Sequence, residues 1–447
     1  MVFLFLVTSL KVYHICMHVF FSGIGGTAIG PLAQIAEQAG YKVSGSDKQD
    51  SQYIEYLKSH GLGSIHIGQT AEQIDEIQHK DPIDWYVYSS AVAIEQPDSP
   101  ELKFCQENNI KTSKRDEFLN HFIEENQLNL VAIAGTHGKT TTTAMAVWLF
   151  KKLALPISYS VGAKISFGDM GQYTPGSKYF VLEADEFDRN FLAFKPYLSL
   201  ITGVSWDHHE IFPSRQDYEN AFRQFLDQSQ QAIIWQEDAT RLNLVGSDKL
   251  SILNSPEEAN ELTDIIGYYN RLDAWLAANG VATLVGKPVS EVATLLADFP
   301  GLQRRMEQII PGLYSDYAHT PEKIRGGMSA ALELAAKHGQ KVVVVYEPLT
   351  NRRQHYMKDD YKDCFKGAEK VYWIPSYLAR EDPNSAILTP KDLISHLSDP
   401  NLAEARERDT QLKQTIQKHL DEGDMVVAMA GGGGGSLDEW IRHNFKA

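Results

Sequence analysis

From Met17 onward, apolar residues come in short blocks separated by glycine turns and helical stretches. HVFFSG is strand-like, GGTAIGPLAQIAEQAG places apolar residues at helical spacing behind glycines, and YKVSGSD is strand-like again. That order predicts the opening of a parallel α/β unit, and a second unit reaches DWYVYSSA. After the polar stretch HFIEENQ the pattern restarts with LNLVAIAG, a glycine-containing turn and the helical TTTTAMAVWLFKKL, which marks a boundary near residue 125. YFVLEAD and LSLITGVS predict buried strands, with helices around 217–228 and 270–285, as in a larger mixed sheet. Near residue 308 the pattern restarts again. IIPGLYSDYAH, KVVVVYEP, KVYWIPS and DMVVAMAGGGG read as strands, separated by helices such as PEKIRGGMSAALELAAKHG, and Gly431 to Gly435 read as a strand-ending turn. The expected fold class is α/β with three domains, at 17–125, 126–308 and 309–447.

Composition supports a multi-domain enzyme. A chain of 447 residues has room for about three domains, and 43% hydrophobic with 22% charged residues is ordinary globular usage. The net charge of -16 argues against general nucleic-acid binding, so an anionic ligand must be held by a local pocket. Cys16, Cys105 and Cys364 are far apart and form no CxxC pair, which suggests neither a disulfide framework nor a zinc site and fits a reducing, cytoplasmic setting. The first 16 residues are apolar but lack a basic start and a small-residue cleavage site, and they are too short to cross a bilayer. Translation is therefore expected to begin at Met17, with no membrane insertion.

The strongest local signal is Gly135-Thr136-His137-Gly138-Lys139-Thr140-Thr141, between the strand LNLVAIA and a helix. Backbone N–H groups of such a turn can cradle a polyphosphate, Lys139 can supply charge to its outer groups, and Thr140 can ligate magnesium. The usual G-x-x-x-x-G-K-[ST] pattern wants glycine where this chain has Ile133, so the turn is a shortened variant. No guanine-reading N-K-x-D stretch is evident, which favours ATP over GTP.

Glu183-Ala184-Asp185-Glu186-Phe187-Asp188 follows one predicted strand, and Trp206-Asp207-His208-His209 follows another. Strand ends of a parallel sheet converge on the ligand crevice, which makes Glu183 and His208 candidate ligands for magnesium or manganese. Asp185, Glu186 and Asp188 are read instead as helix caps, and His209 as a solvated loop residue. At the start of the chain, Gly23, Gly25, Gly26 and Gly30 would let backbone approach a diphosphate, and Asp47 could bind a ribose or a uracil. Taken alone, that turn suits NAD equally well.

Together, GTHGKTTT, EADEFD, the Asp-His pair, NRLDAWLAA, GLQRRME and DYAHTPE resemble the Mur ligases of peptidoglycan precursor synthesis, over nearly the whole chain from Met17. The resemblance implies an N-terminal Rossmann-like domain for a UDP-sugar, a central P-loop ATPase-type domain and a C-terminal Rossmann-like domain for the incoming amino acid. The glycine-rich start is similar to the two branches that take UDP-N-acetylmuramate, one adding L-alanine and the other a preformed tripeptide. With the phosphate turn further along the chain, UDP becomes the better reading than NAD.

The same resemblance implies an acyl-phosphate mechanism without a protein nucleophile, with Lys139 and Arg305 neutralising charge and with Thr140, Glu183 and His208 as magnesium ligands. Asn270 matches an adenine contact, Asp316 a ribose contact, and Tyr317, His319 and Arg353 the acceptor site. Ser89 and Ser90 resemble a further diphosphate contact, though an ordinary serine turn explains them nearly as well. The chain departs from the pattern at Tyr269, at Asp273 in place of asparagine, and at Thr350, where the segment Glu347-Pro348-Leu349-Thr350-Asn351-Arg352-Arg353 loses its first arginine. A regulatory protein without turnover is disfavoured by intact Lys139, Thr140, Glu183 and His208. An oxidoreductase would leave GTHGKTTT without a role.

Overall fold

The computed structural model describes residues 17–89, 92, 98–208, 211–378, 381, 385–433 and 435–445. The expectations for residues 1–16, Ser90 and His209 lie outside the described residues. The chain divides into two compact units, Met1–Thr136 with Phe150–Gly162 and Phe167–Ser251, and His137–Leu149 with Ala163–Ser166 and Ile252–Ala447.

The first sheet contains β1 (His18–Ser22), β2 (Lys42–Asp47), β3 (Ile65–Ile67), β4 (Trp85–Tyr88) and β5 (Lys111–Lys114). Its order is β3-β2-β1-β4-β5, with every pair parallel. All five residues of β1 are buried, as expected for a strand covered on both faces, and Phe20 stacks on Tyr86 of the neighbouring strand at 5.7 Å. Strand order reverses between β1 and β4, and the glycine turn leaves β1 at that switch point.

The second sheet runs β12-β11-β10-β6-β9-β7-β8. Its strands are β6 (Asn129–Ala134), β7 (Ser158–Ser160), β8 (Gly171–Gln172), β9 (Tyr179–Glu183), β10 (Leu198–Ile201), β11 (Gln231–Trp235) and β12 (Leu250–Leu253). β6 pairs in parallel with β9 and β10, whereas β7 and β8 are antiparallel, so the sheet is mixed. Within the first unit, helix Ile29–Gln38 is tied to the β8 region: Gln34 Nε2 donates to Asp169 at 2.9 Å and Tyr173 N to Gln38 Oε1 at 2.7 Å. Tyr56 hydrogen-bonds the same Asp169, and Tyr41 does so to Glu125.

The third sheet lies in the second unit, in the order β13-β14-β18-β15-β16-β17. It comprises β13 (Glu307–Ile310), β14 (Leu313–Asp316), β15 (Val342–Glu347), β16 (Lys370–Trp373), β17 (Ala403–Ala405) and β18 (Met425–Ala430). Val342, Val344 and Tyr346 pack into one core layer, Val343 and Val345 into the other, which is why this strand reads as a continuous apolar run. One expectation needs correction: IIPGLYSD is not a single strand. Pro311 cannot donate to a ladder and Gly312 takes φ +83°, so the segment folds back as the antiparallel pair β13–β14, with an irregular register at Gln308/Ile310.

Cys105 and Cys364 are free and buried, and burial pushes each thiol up to about 12, which makes them inert core residues. No helix among the described residues is long and apolar enough to cross a membrane.

Candidate active site

β6 ends at Ala134 and leads into the glycine turn; β9 ends at Glu183; β10 ends at Ile201 and leads toward His208. Register sets Ile133 opposite Glu183 and Ala134 opposite Ile201, so all three strand ends lie on one edge of the sheet. In the first unit, Gly135 adopts φ +145°, and a Cβ there would fall 2.2 Å from Thr202 Oγ1 and 2.9 Å from the Gly203 carbonyl. Only glycine lets the turn pass so close to the next strand. Thr136 donates its hydroxyl to Ser205 O at 2.7 Å and accepts from Ser205 N at 2.8 Å.

In the second unit, Gly138 adopts φ +78°, and a Cβ there would lie 2.2 Å from Asp273 Oδ1. His137 Nε2 is hydrogen-bonded to Glu322 Oε2 at 2.5 Å. Helix Lys139–Lys152 starts immediately afterwards, with Thr142 N donating to Gly138 O at 2.9 Å. Its first N–H groups have no acceptor within the helix and suit an anion. Burial pushes the Asp273 carboxyl well above the usual carboxylate range, and Arg305 draws it partly back.

Glu183 Oε2 accepts the Gly162 amide at 2.8 Å, and a Cβ on Gly162 would overlap the carboxylate at 2.7 Å. His208 takes left-handed backbone, φ +53°, with its N–H on Asp207 Oδ1 at 2.7 Å. Its Nε2 lies 3.7 Å from Glu186 Oε1, and its ring meets Phe187 edge-on at 5.3 Å. Glu186 occupies the N-cap position of the short helix Phe187–Ala193 but does not cap it with its side chain. Its side chain makes no cap hydrogen bond and is fully buried, facing His208 and, at 3.4 Å, the Tyr218 hydroxyl, which itself lies 2.8 Å from Thr136 Oγ1. Asp188 is also not a cap, since it pairs with Lys114 at 2.9 Å; Asp185 does accept the Phe187 amide at 3.2 Å. Within the first unit, the Glu183 carboxylate supplies the oxygen donor that magnesium prefers, and a carboxylate behind the His208 imidazole is the usual way to orient a ligating ring. Another group of possible donors, His419, Glu422 and Asp424, has both His419 ring nitrogens engaged, with Asp424 at 2.8 Å and Tyr372 at 2.9 Å, and is read as a structural pair.

Further along the second unit, Asn270 sits in the first turn of helix Tyr268–Val285, with Nδ2 on the Ile266 carbonyl at 2.8 Å. Asp316 ends β14 and uses both oxygens on backbone amides, Met306 N and Ala318 N, each at 2.9 Å. Burial pushes its carboxyl up, opposed first by Arg305. A ribose hydroxyl there would share oxygens already holding the loop. The Arg304 and Arg305 guanidiniums lie 4.6 and 4.8 Å from the Tyr317 ring, and Tyr317 meets the buried His319 at 4.7 Å. Arg305, Tyr317 and His319 are thus brought together. Arg353 stands on helix Asn351–Met357 beyond β15, its amide on Thr350 O at 3.1 Å.

At the first sheet, Gly23 takes φ +81°, and the Gly23 and Ile24 amides both bond the Ser46 carbonyl, at 2.8 and 3.0 Å. Gly26 N closes the turn on Gly23 O at 3.0 Å, and a Cβ on Gly30 would meet Tyr53 at 2.3 Å. Asp47 Oδ2 accepts the Gly25 amide at 2.9 Å, so this carboxylate shapes the turn itself. Ser89 Oγ lies 3.7 Å from a Cβ built on Gly23, which puts it beside the same turn.

Sequence reasoning gives Glu322 and Tyr218 no role, and it gives Asp273 and Glu186 no role in supporting the site. Asp273 carried one signal, as a departure from the family pattern, but its contact with Gly138 spans 135 positions and leaves no local trace.

Comparison with known proteins adds lineage to this geometry. Residues 18–127 match the Mur ligase family catalytic domain and residues 133–271 the Mur ligase middle domain. The UDP-N-acetylmuramate–L-alanine ligase of Clostridium novyi is 30% identical over 455 residues, covering 93% of this chain and 94% of that protein. Among solved structures, the UDP-N-acetylmuramate-alanine ligase of Thermotoga maritima superposes with a TM-score of 0.74 at 22% identity, covering 96% of this chain and 98% of that one. The murein peptide ligase of Psychrobacter arcticus gives a TM-score of 0.63 at 20% identity, covering 96% and 100%. Those two structures speak to the three-sheet fold. With two consecutive domain matches and a 30% identical relative aligned over almost all of its length, the chain belongs to the Mur ligase family.

Proposed function

We propose that this chain is a cytoplasmic, ATP-dependent ligase that joins L-alanine to the carboxylate of UDP-N-acetylmuramate in peptidoglycan precursor synthesis. The observation that supports it most is the shared edge of the second sheet, where a phosphate-cradling turn, Glu183 and the segment leading to His208 leave adjacent parallel strands. In this reading, residues 17–125 bind the UDP-sugar through Gly23, Gly25, Gly26, Asp47 and Ser89. Residues 126–308 bind ATP, with Asn270 at the adenine, and residues 309–447 supply Tyr317, His319 and Arg353 to the acceptor.

The substrate carboxylate attacks the γ-phosphorus of ATP and ADP leaves, which gives an acyl phosphate. The acceptor amine then attacks the acyl carbon and phosphate departs. The turn amides and Lys139 hold the transferred group in line, and Arg305 neutralises charge that grows on it. Magnesium, held by Thr140, Glu183 and His208, would screen the two anions that must meet. Glu186 orients His208 from behind, and Tyr218 and Thr136 tie the turn to the same network.

One observation favours a second acceptor, a preformed tripeptide. Thr350 stands where an arginine would meet a free amino-acid carboxylate, and such a charge is costly to enclose unpaired. Phosphate release with UDP-N-acetylmuramate, ATP and, in turn, L-alanine, L-serine, glycine or L-Ala-D-Glu-diaminopimelate separates the two. Preference for the tripeptide replaces the first reading, and release with none of them removes both.

A further inference from the structure

Glu347 ends β15 at the carboxyl edge of the third sheet and is 1% exposed. Its Oε2 accepts the Leu437 amide at 3.0 Å, while its buried Oε1 accepts no hydrogen bond among the described residues. Arg408 NH1 lies 3.4 Å from Oε1 without the alignment of a hydrogen bond, and the same nitrogen donates to the Gly435 carbonyl. Two hydroxyls nearby share this condition. Ser436 Oγ, next to Leu437, and Ser376 Oγ, next to Tyr377, are buried and have no hydrogen-bond partner among the described residues. Gly432 brings the two segments together, since a Cβ there would lie 2.8 Å from both Ser436 Cβ and Tyr377. The adjoining Gly431 packs against His319. Buried polar atoms are nearly always paired, so several orphans at the ends of β15, β16 and β18 mark a place where a polar ligand completes the set.

Resting on the ligase reading above, we infer that Glu347 and Arg408 together receive the acceptor as a zwitterionic α-amino acid, its amino group on Glu347 Oε1 and its carboxylate on Arg408. The two charges of an α-amino acid sit on one carbon and match a carboxylate and a guanidinium side by side. In a tripeptide the amino group that must attack has no carboxylate on its own carbon, so it cannot engage both partners, and the pair selects a single amino acid as the nucleophile. Arg408 is 35% exposed at its side chain and is the group that must swing aside to admit the ligand. Burial pushes the Glu347 carboxyl up, while the Leu437 amide and Arg408 hold it down.

The test uses the full chain with Glu347→Gln, Arg408→Gln and, for comparison, Arg353→Gln. Glu347→Gln keeps an oxygen for the Leu437 amide and replaces the charged acceptor Oε1 with an uncharged amide nitrogen. Each of the first two variants should raise the KM for L-alanine by about tenfold or more with the KM values for ATP and UDP-N-acetylmuramate unchanged. Acyl-phosphate formation without acceptor, trapped as a hydroxamate with hydroxylamine, should proceed at the wild-type rate, and Glu347→Asp should recover part of the loss. Unchanged alanine KM in both variants, with the hydroxamate still formed, overturns the inference and spares the ligase reading. A rise in Arg353→Gln with Arg408→Gln silent overturns the place given to Arg408. No hydroxamate from the wild-type protein defeats the ligase reading and this inference with it. Should Glu347→Gln fail to fold, Arg408→Gln, on a partly exposed side chain, decides alone.

Discussion

Gly138→Ala isolates what the phosphate turn demands of its sequence. Two costs arise, and the structure separates them. At φ +78° an added Cβ meets the left-handed penalty, about 1–2 kcal/mol. The same Cβ would stand 2.2 and 2.7 Å from the Asp273 carboxylate oxygens, and Asp273 is 8% exposed in helix Tyr268–Val285 with little room to withdraw. Overpacking of that kind costs about 1–3 kcal/mol, so the single variant should lose about 2–5 kcal/mol in total. Asp273→Ala removes the obstructing carboxylate and leaves only the backbone penalty. A double-mutant cycle of Gly138→Ala and Asp273→Ala, read by urea denaturation and by ATP titration, should therefore show the double variant about 1–3 kcal/mol less damaged than the sum of the singles. Additivity within about 0.5 kcal/mol would mean that the carboxylate does not press on the turn, and the packing argument would fail.

Lys139→Ala should abolish turnover while leaving the fold intact, because a turn lysine supplies charge rather than packing; wild-type ATP hydrolysis in the presence of substrate would count against the ATP site. Glu183→Ala and His208→Ala should each cripple acyl-phosphate formation more than ATP binding, and a wild-type magnesium titration in both would remove them as metal ligands. Asp273 has its folded-state carboxyl raised by burial, so its stabilising contribution is complete below the ordinary carboxylate range and is lost as pH rises through the raised folded value. Asp273→Asn should then gain stability relative to wild type as pH rises above the ordinary carboxylate range, and a pH-independent difference in urea midpoint would show that Asp273 does not titrate in that way.

Much of this fold is written locally. The blocks HVFF, LVAIA and VVVVY are continuous because parallel strands are covered on both faces, and the glycines at 135 and 138 announce a turn that a side chain could not make. Pro311-Gly312 is equally visible in the sequence, yet the apolar residues on either side of it make IIPGLYSD read as strand, whereas the chain turns there and pairs antiparallel with itself. Glu186 was read as a cap from its place before a helix. Its actual surroundings, His208 and Tyr218, come from other elements, and no spacing rule within EADEFD reveals them. The same holds for Glu322, whose partner His137 is 185 positions away. Strands and turns follow from neighbours in sequence, whereas the residues that support a site are chosen by the packed fold.

Gly162 bears on how this protein could be inhibited. Any side chain at that position would drive into the Glu183 carboxylate, and its amide donates a hydrogen bond to that carboxylate. A compound that gripped the backbone at Gly162 would rest on a surface with no harmless substitution available, since a change that loosened the compound would also dislodge the acid. Resistance would have to arise elsewhere, at positions where a side chain can change without striking Glu183.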